Sequence, residues 1–299
     1  MTKQKSKLAF FLMALLWGSS YAIQKPLLDF IDPVIFTFWS FFLSGILFLV
    51  YALIKKLPII YRWREGVVLG FFLSGIEIFE MVGLKFTSSA NTVFLTNVGM
   101  LMIPFVGWFL FRDKVKFENI VAIIIATVGM YMLVGGLSGF GKGEIIVLLS
   151  SIASAFYFIY SERFEAERSS HITSLCIQQF FAISLVCFIW STFSGDSFSI
   201  PQNLRLELLW QIGLFTTLPY AIIQWASRYA DEMIAAVYDG VVEPLTGAIL
   251  SWVIFLEATS VSQVLGGVVM IFSFVFAAIF SKRHFLKQLF VHMFDTLHI

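Results

Sequence analysis

Ten apolar stretches, each long enough to cross a bilayer, run through the chain in two sets of five. The first set covers Lys7–Gln24, Pro33–Ile54, Glu65–Leu84, Ser88–Phe111 and Val115–Val134. The second covers Glu144–Phe164, His171–Phe193, Glu207–Ser227, Glu232–Phe255 and Val261–Phe280. A helix rises about 1.5 Å per residue, so about 20 apolar residues span the hydrocarbon core. Five is odd, so a second set that repeats the first starts on the other side of the membrane. Inverted repeats of that kind are typical of secondary transporters. The fold class expected is therefore an all-α membrane protein of ten transmembrane helices, built as two inverted five-helix repeats. The division expected is 1–137, 138–281 and a tail of 282–299.

Composition agrees. The 299 residues are 59% hydrophobic and 13% charged, with a mean hydropathy of +0.88. A soluble domain needs far more polar residues to cover its surface. A net charge of +1 argues against a nucleic-acid partner. Cys176 and Cys187 are the only cysteines and both fall inside the seventh stretch, where they read as small apolar residues. The basic start Met1–Lys7 leads straight into the first apolar run. A signal peptide would carry a small-residue cleavage site there, and none follows convincingly.

Basic residues set the orientation. With the N-terminus in the cytoplasm, 16 basic residues fall inside: Lys3, Lys5, Lys7, Lys55, Lys56, Arg62, Arg64, Arg112, Lys114, Lys116, Arg163, Arg168, Arg228, Lys282, Arg283 and Lys287. The four outside are Lys25, Lys85, Lys142 and Arg205. The positive-inside rule then puts both termini in the cytoplasm, and the membrane expected is the cytoplasmic one. In the tail, Phe285, Leu286, Leu289, Phe290, Met293 and Leu297 recur at helical spacing opposite Lys282, Arg283 and Lys287. That pattern suits an amphipathic helix lying on the membrane.

The halves superpose at an offset near 143. Gly83–Ala90 then meets Ala226–Met233, and Phe111–Asp113 meets Phe255–Glu257. Nearer the start, Trp17–Lys25 meets Ala155–Arg163 at an offset of 138. In these terms the chain resembles the EamA-type branch of the drug/metabolite transporter superfamily. The residues that carry the resemblance are Leu16–Tyr21, Leu84–Asn91, Ala235–Val237, Glu243–Leu245, Leu256–Glu257 and Gln263–Gly267. It covers residues 7–280. Two positions depart from the pattern: the proline expected near Leu101 stands at Pro104, and Asp113 replaces a glutamate. The resemblance implies two inverted repeats around a central cavity, and the movement of small metabolites across the membrane.

A charge in mid-span costs several kcal/mol unless it is paired or faces water. Four carboxylates stand there. Glu77 and Glu80 share one face of the third stretch, and Asp239 and Glu243 share one face of the ninth. Such acids suit proton carriage, and they would equally hold a cationic substrate. They could also be structural, protonated and hydrogen-bonded between helices. Gln24, Asn91, Asn97, Gln178, Gln179 and Gln224 are further substrate or coupling candidates, and Glu80 falls opposite Gln224 in the repeat at an offset of 144. Each amide alone is more often a helix–helix hydrogen bond worth about 1 kcal/mol. Trp17, Tyr21 and Tyr157 could wall a pocket.

Phosphate-binding and zinc-protease motifs are absent, and His171, His284, His292 and His298 lie in loops or the tail. No cofactor and no metal is expected. The reading favoured is a secondary transporter for a small polar or cationic metabolite (an amino acid, amine or nucleoside-like compound). It works by alternating access, with proton coupling or exchange as the driving step, as a monomer or homodimer in the lipid bilayer. An intramembrane enzyme using the carboxylates as acid and base is the alternative. A channel is a third reading, and it would need a ring of subunits.

Overall fold

The computed structural model describes residues 3–136, 139–163, 171–226, 238–255 and 260–295, with the backbone alone at 3, 4, 162, 163, 224, 239 and 281–295. All of the regular structure described is helical. The first half holds α1 (Lys3–Gln24), α2 (Pro33–Lys55), α3 (Trp63–Phe86), α4 (Ser89–Phe111) and α5 (Phe117–Leu133). The second holds α6 (Lys142–Arg163) and α7 (Ile172–Ser194). Next comes α8, which runs through Arg205–Gln211, Ile212–Thr217 and Leu218–Ala226. The last two are α9 (Tyr238–Val242 and Glu243–Phe255) and α10 (Val261–Asp295).

Local chemistry places the ends. Asp32 caps α2 by accepting from the amides of Val34 and Ile35, at 2.8 and 3.3 Å, and Pro33 opens the helix. Ser88 caps α4 through the Asn91 amide at 2.9 Å. Both side chains satisfy amides that a helix start leaves without partners. Gly195 closes α7 with φ +75°, a left-handed conformation that glycine adopts freely. Pro104 lies within α4 without breaking it.

Eight described helices have the length and apolar character to cross a membrane. Two fall short of the expectation that every stretch does: Phe117–Leu133 and Gly240–Phe255. The reason for α5 is local. Lys116, at the N-cap, keeps an extended backbone, so the helix starts two residues later than its apolar run. In α9, residues 231–237 lie outside the description. At the chain end the backbone of α10 continues past Phe280 to Asp295.

The helix pairing is symmetric under exchange of the halves. α3 packs on α6 as α8 packs on α1, and α4 packs on α6 as α9 packs on α1. α3 meets α7 as α8 meets α2, while α2 with α7, α4 with α9 and α5 with α10 pair with their own counterparts. The chain therefore forms two inverted five-helix repeats. Hydroxyls bind the crossings: Ser151 to the Leu95 carbonyl at 2.6 Å, Ser273 to the Ala122 carbonyl at 2.6 Å, and Ser44 to Thr217 at 2.8 Å. Apolar burial between helices is worth little where lipid is the solvent, so close packing and such bonds do the holding. Phe71, Phe109, Phe117 and Phe193 project from the bundle, as lipid-facing side chains should.

Candidate functional site

Three carboxylates and two tyrosines meet where the halves join. Glu77 and Glu80 lie one turn apart on α3, and Glu80 is only 9% exposed. α1 brings Tyr21 and α9 brings Glu243, both buried, and the Tyr21 hydroxyl donates to Glu243 Oε1 at 3.2 Å. α8 brings Tyr220, whose hydroxyl donates to Glu77 Oε1 at 3.4 Å. The Tyr21 and Thr96 hydroxyls both lie beside Glu80, yet the buried Thr96 oxygen falls outside hydrogen-bond geometry. Both tyrosine contacts are long for a hydroxyl on a carboxylate, where 2.5–2.7 Å is typical.

Wide turns aim two of these groups. Ile212–Thr217 is a π-helical turn just before Pro219-Tyr220, and Tyr238–Val242 is another just before Glu243-Pro244. A proline has no amide hydrogen for the preceding turn. A π turn inserts one residue and rotates the helix beyond it, which is why such turns recur at functional sites.

An aromatic wall surrounds the cluster. The Tyr220 ring stands edge-on to Trp17 (5.7 Å between centroids), Phe180 (4.9 Å) and Phe41 (6.1 Å). The Tyr157 hydroxyl donates to Gln179 Oε1 at 3.0 Å. Trp17, Glu77, Tyr157 and Tyr220 remain partly accessible, while Glu80, Tyr21, Glu243 and Gln179 are buried.

The other sequence candidates are spread out. Gln24 is buried at the end of α1. Asn97 is buried and donates to the Val93 carbonyl of its own helix at 2.9 Å. Asn91 stands apart from the cluster, donating to Glu144 at 3.1 Å and Thr87 at 3.3 Å. Gln178 also stands apart, donating to the Tyr61 and Ser174 carbonyls at 2.9 and 3.0 Å against Gly66 at the start of α3. The side chains of Gln224 and Asp239 lie outside the described residues. Sequence reasoning missed Tyr220, Thr96 and Glu144. For Tyr220 a signal existed, because it stands 143 positions after Glu77, the offset that superposes the halves.

One profile, that of the EamA-like transporter family, matches residues 4–135 and again 141–279. The chain belongs to that family. Two matches of nearly equal length in one chain fit the exchange symmetry of the EamA-like bundle. Among relatives, an "Uncharacterized transporter" of Archaeoglobus fulgidus is 27% identical over 76% of this chain and 70% of its own. "Uncharacterized transporter YetK" of Bacillus subtilis is 23% identical over 84% of this chain and 82% of its own. The "S-adenosylmethionine/S-adenosylhomocysteine transporter" of Chlamydia muridarum is 24% identical over 54% of each chain. A solved crystal structure, 15% identical, superposes with a TM-score of 0.67 over 94% of this chain and 99% of its own, a likeness of fold. The EamA-like chain is thus a multi-pass membrane transporter, and its relatives' names point to transport rather than catalysis.

Proposed function

We propose that the chain is a secondary active transporter that moves a small polar or cationic metabolite by alternating access. In this reading the halves 1–137 and 138–281 rock against each other around the carboxylate–tyrosine cluster. One observation carries it. Among the described residues neither Glu77 nor Glu80 makes an ion pair, and the ion pair found, Arg62 with Glu65 at 3.2 Å, lies at the start of α3. Carboxylates at membrane depth call for a positive partner. Here that partner arrives from solution, as a proton or as the cargo. An amino acid, an amine or a nucleoside-like cation fits a site of acids, hydroxyls and aromatic edges. The compound named for the Chlamydia muridarum relative, S-adenosylmethionine, joins an amino acid, a sulfonium cation and a nucleoside.

The test is flux into proteoliposomes with radiolabelled S-adenosylmethionine, lysine and putrescine. At least one is expected to accumulate faster under an imposed proton gradient or with the same compound trapped inside. Uptake of none of them above protein-free liposomes would remove the polar-cation reading. Uptake indifferent to both driving conditions would remove secondary active transport.

Both termini belong in the cytoplasm in this proposal. In intact cells an impermeant maleimide should label Ser199→Cys, in the loop before α8. Lys56→Cys, at the other end of α2, should react only after the membrane is opened. Both positions are exposed. Equal labelling of both from outside would reject the topology.

A further inference from the structure

At one end of the bundle the start of α6 is bonded into the turn between α3 and α4. Glu144 uses one oxygen, Oε2, to accept the Gly141 amide at 3.0 Å, which caps its own helix. The other oxygen reaches across the halves, accepting from Asn91 Nδ2 at 3.1 Å and from the Thr87 hydroxyl. Lys25 Nζ donates to the Thr87 carbonyl at 2.8 Å, and Lys142 Nζ sits 3.4 Å over the Phe86 ring. Glu144 is 5% exposed and Thr87 8%. No layer of water fits in the joint, since a Cβ built on Gly143 would come within 2.7 Å of the Phe86 backbone.

A helix cap needs one carboxylate oxygen. The second is committed between helices of opposite halves. The position 138 earlier, at the offset that lays α1 over α6, is Ser6. Its hydroxyl donates to the Ala226 carbonyl at 3.1 Å, at the end of α8. Ala226 is in turn the counterpart of Gly83, which packs against the Gly143 carbonyl. The same docking thus occurs at both ends of the bundle. Among the described residues, one end carries a carboxylate with two cross-half donors and the other the Ser6 hydroxyl.

We infer that Glu144 is a gating latch, with Thr87 and Asn91 as its catches, and that the transport cycle breaks these bonds to open this end. Asn91 belongs to the gate and not to the cargo site. The inference rests on the alternating-access reading, and one experiment separates the two. Full-length protein in detergent, with Cys176→Ala and Cys187→Ala, carries a reporter at Ser89→Cys or at Ser6→Cys. Ser89 is fully buried beside the latch, where its hydroxyl donates to the Tyr21 carbonyl at 3.1 Å, and Ser6 is 1% exposed at the opposite joint. The probe is a hydrophilic maleimide.

Thr87→Val, Asn91→Ala and Glu144→Ala are each expected to raise the Ser89→Cys reaction rate about tenfold, the worth of a charge-assisted hydrogen bond. Ser6→Cys should stay protected in all three. Thr87→Val and Asn91→Ala leave the Glu144–Gly141 cap in place, so a Glu144 that only caps α6 predicts unchanged rates in both. That result overturns the latch. If Glu144→Ala fails to fold, those two variants decide alone. If the two reporters open together in protein that still melts cooperatively, the latch stands as a seal and the alternating-access reading falls.

Discussion

Glu80→Gln should reduce transport about tenfold or more while the protein remains folded. The amide keeps the size and shape of the carboxyl, so Tyr21 and Thr96 beside it stay packed. What disappears is the ability to become negative at membrane depth, the one property that recruits a proton or a cation. Glu77→Gln should act in the same direction. If the acids carry protons, the variants move cargo without responding to a proton gradient. If they hold the cargo, the Michaelis constant rises and the gradient response survives. Glu65→Gln is the control, since the Arg62–Glu65 pair is solvent-facing, with side chains 43% and 21% exposed. Such pairs contribute about 0–1 kcal/mol, and transport should stay within about twofold of wild type. Wild-type rates in both Glu77→Gln and Glu80→Gln would make the acids structural. Transport would then have to be sought around Trp17, Tyr21 and Asn97.

Gly266→Ala should lose more stability than Gly267→Ala or Gly213→Ala. Where α5 crosses α10, a methyl at Gly266 would sit 2.6 Å from the Gly129 carbonyl and 2.9 Å from Leu133 Cα. Both are backbone atoms, so a whole helix must shift. Overpacking of that kind costs about 1–3 kcal/mol, read as a lower melting temperature in detergent. The neighbouring Gly267→Ala has the Phe94 ring as its nearest neighbour, at 3.0 Å and beyond, and a ring can tilt. It should lose clearly less. Gly213→Ala faces open space and should be neutral or stabilising, because alanine is the better helix former. Equal melting temperatures for Gly266→Ala and Gly213→Ala would show that the crossing is looser than its geometry.

What could be read from the chain alone were the features that the bilayer enforces residue by residue. Hydrocarbon demands about 20 apolar residues per crossing, so the stretches announced their helices. The same demand makes a mid-span carboxylate expensive, so Glu77, Glu80 and Glu243 stood out before any contact was known. The duplication was visible because Gly83–Ala90 and Ala226–Met233 carry the same sequence pattern, a basic residue followed by an aromatic and then small or polar residues.

Partner choice was decided by the tertiary structure. Which groups meet depends on the rotation of each helix about its axis and on the crossing of helices far apart in sequence, and neither leaves a periodic trace. Asn91 and Asn97 look alike in the sequence, yet one reaches Glu144 and the other its own helix. Tyr220 was hidden among many aromatics until α8 set it against Glu77. The π turns before Tyr220 and Glu243 rotate the helical residues beyond them, so a regular helical wheel misplaces both. Glu144 read as the first residue of a span; only the docking of α6 into the α3–α4 turn gave its second oxygen a partner in the other half.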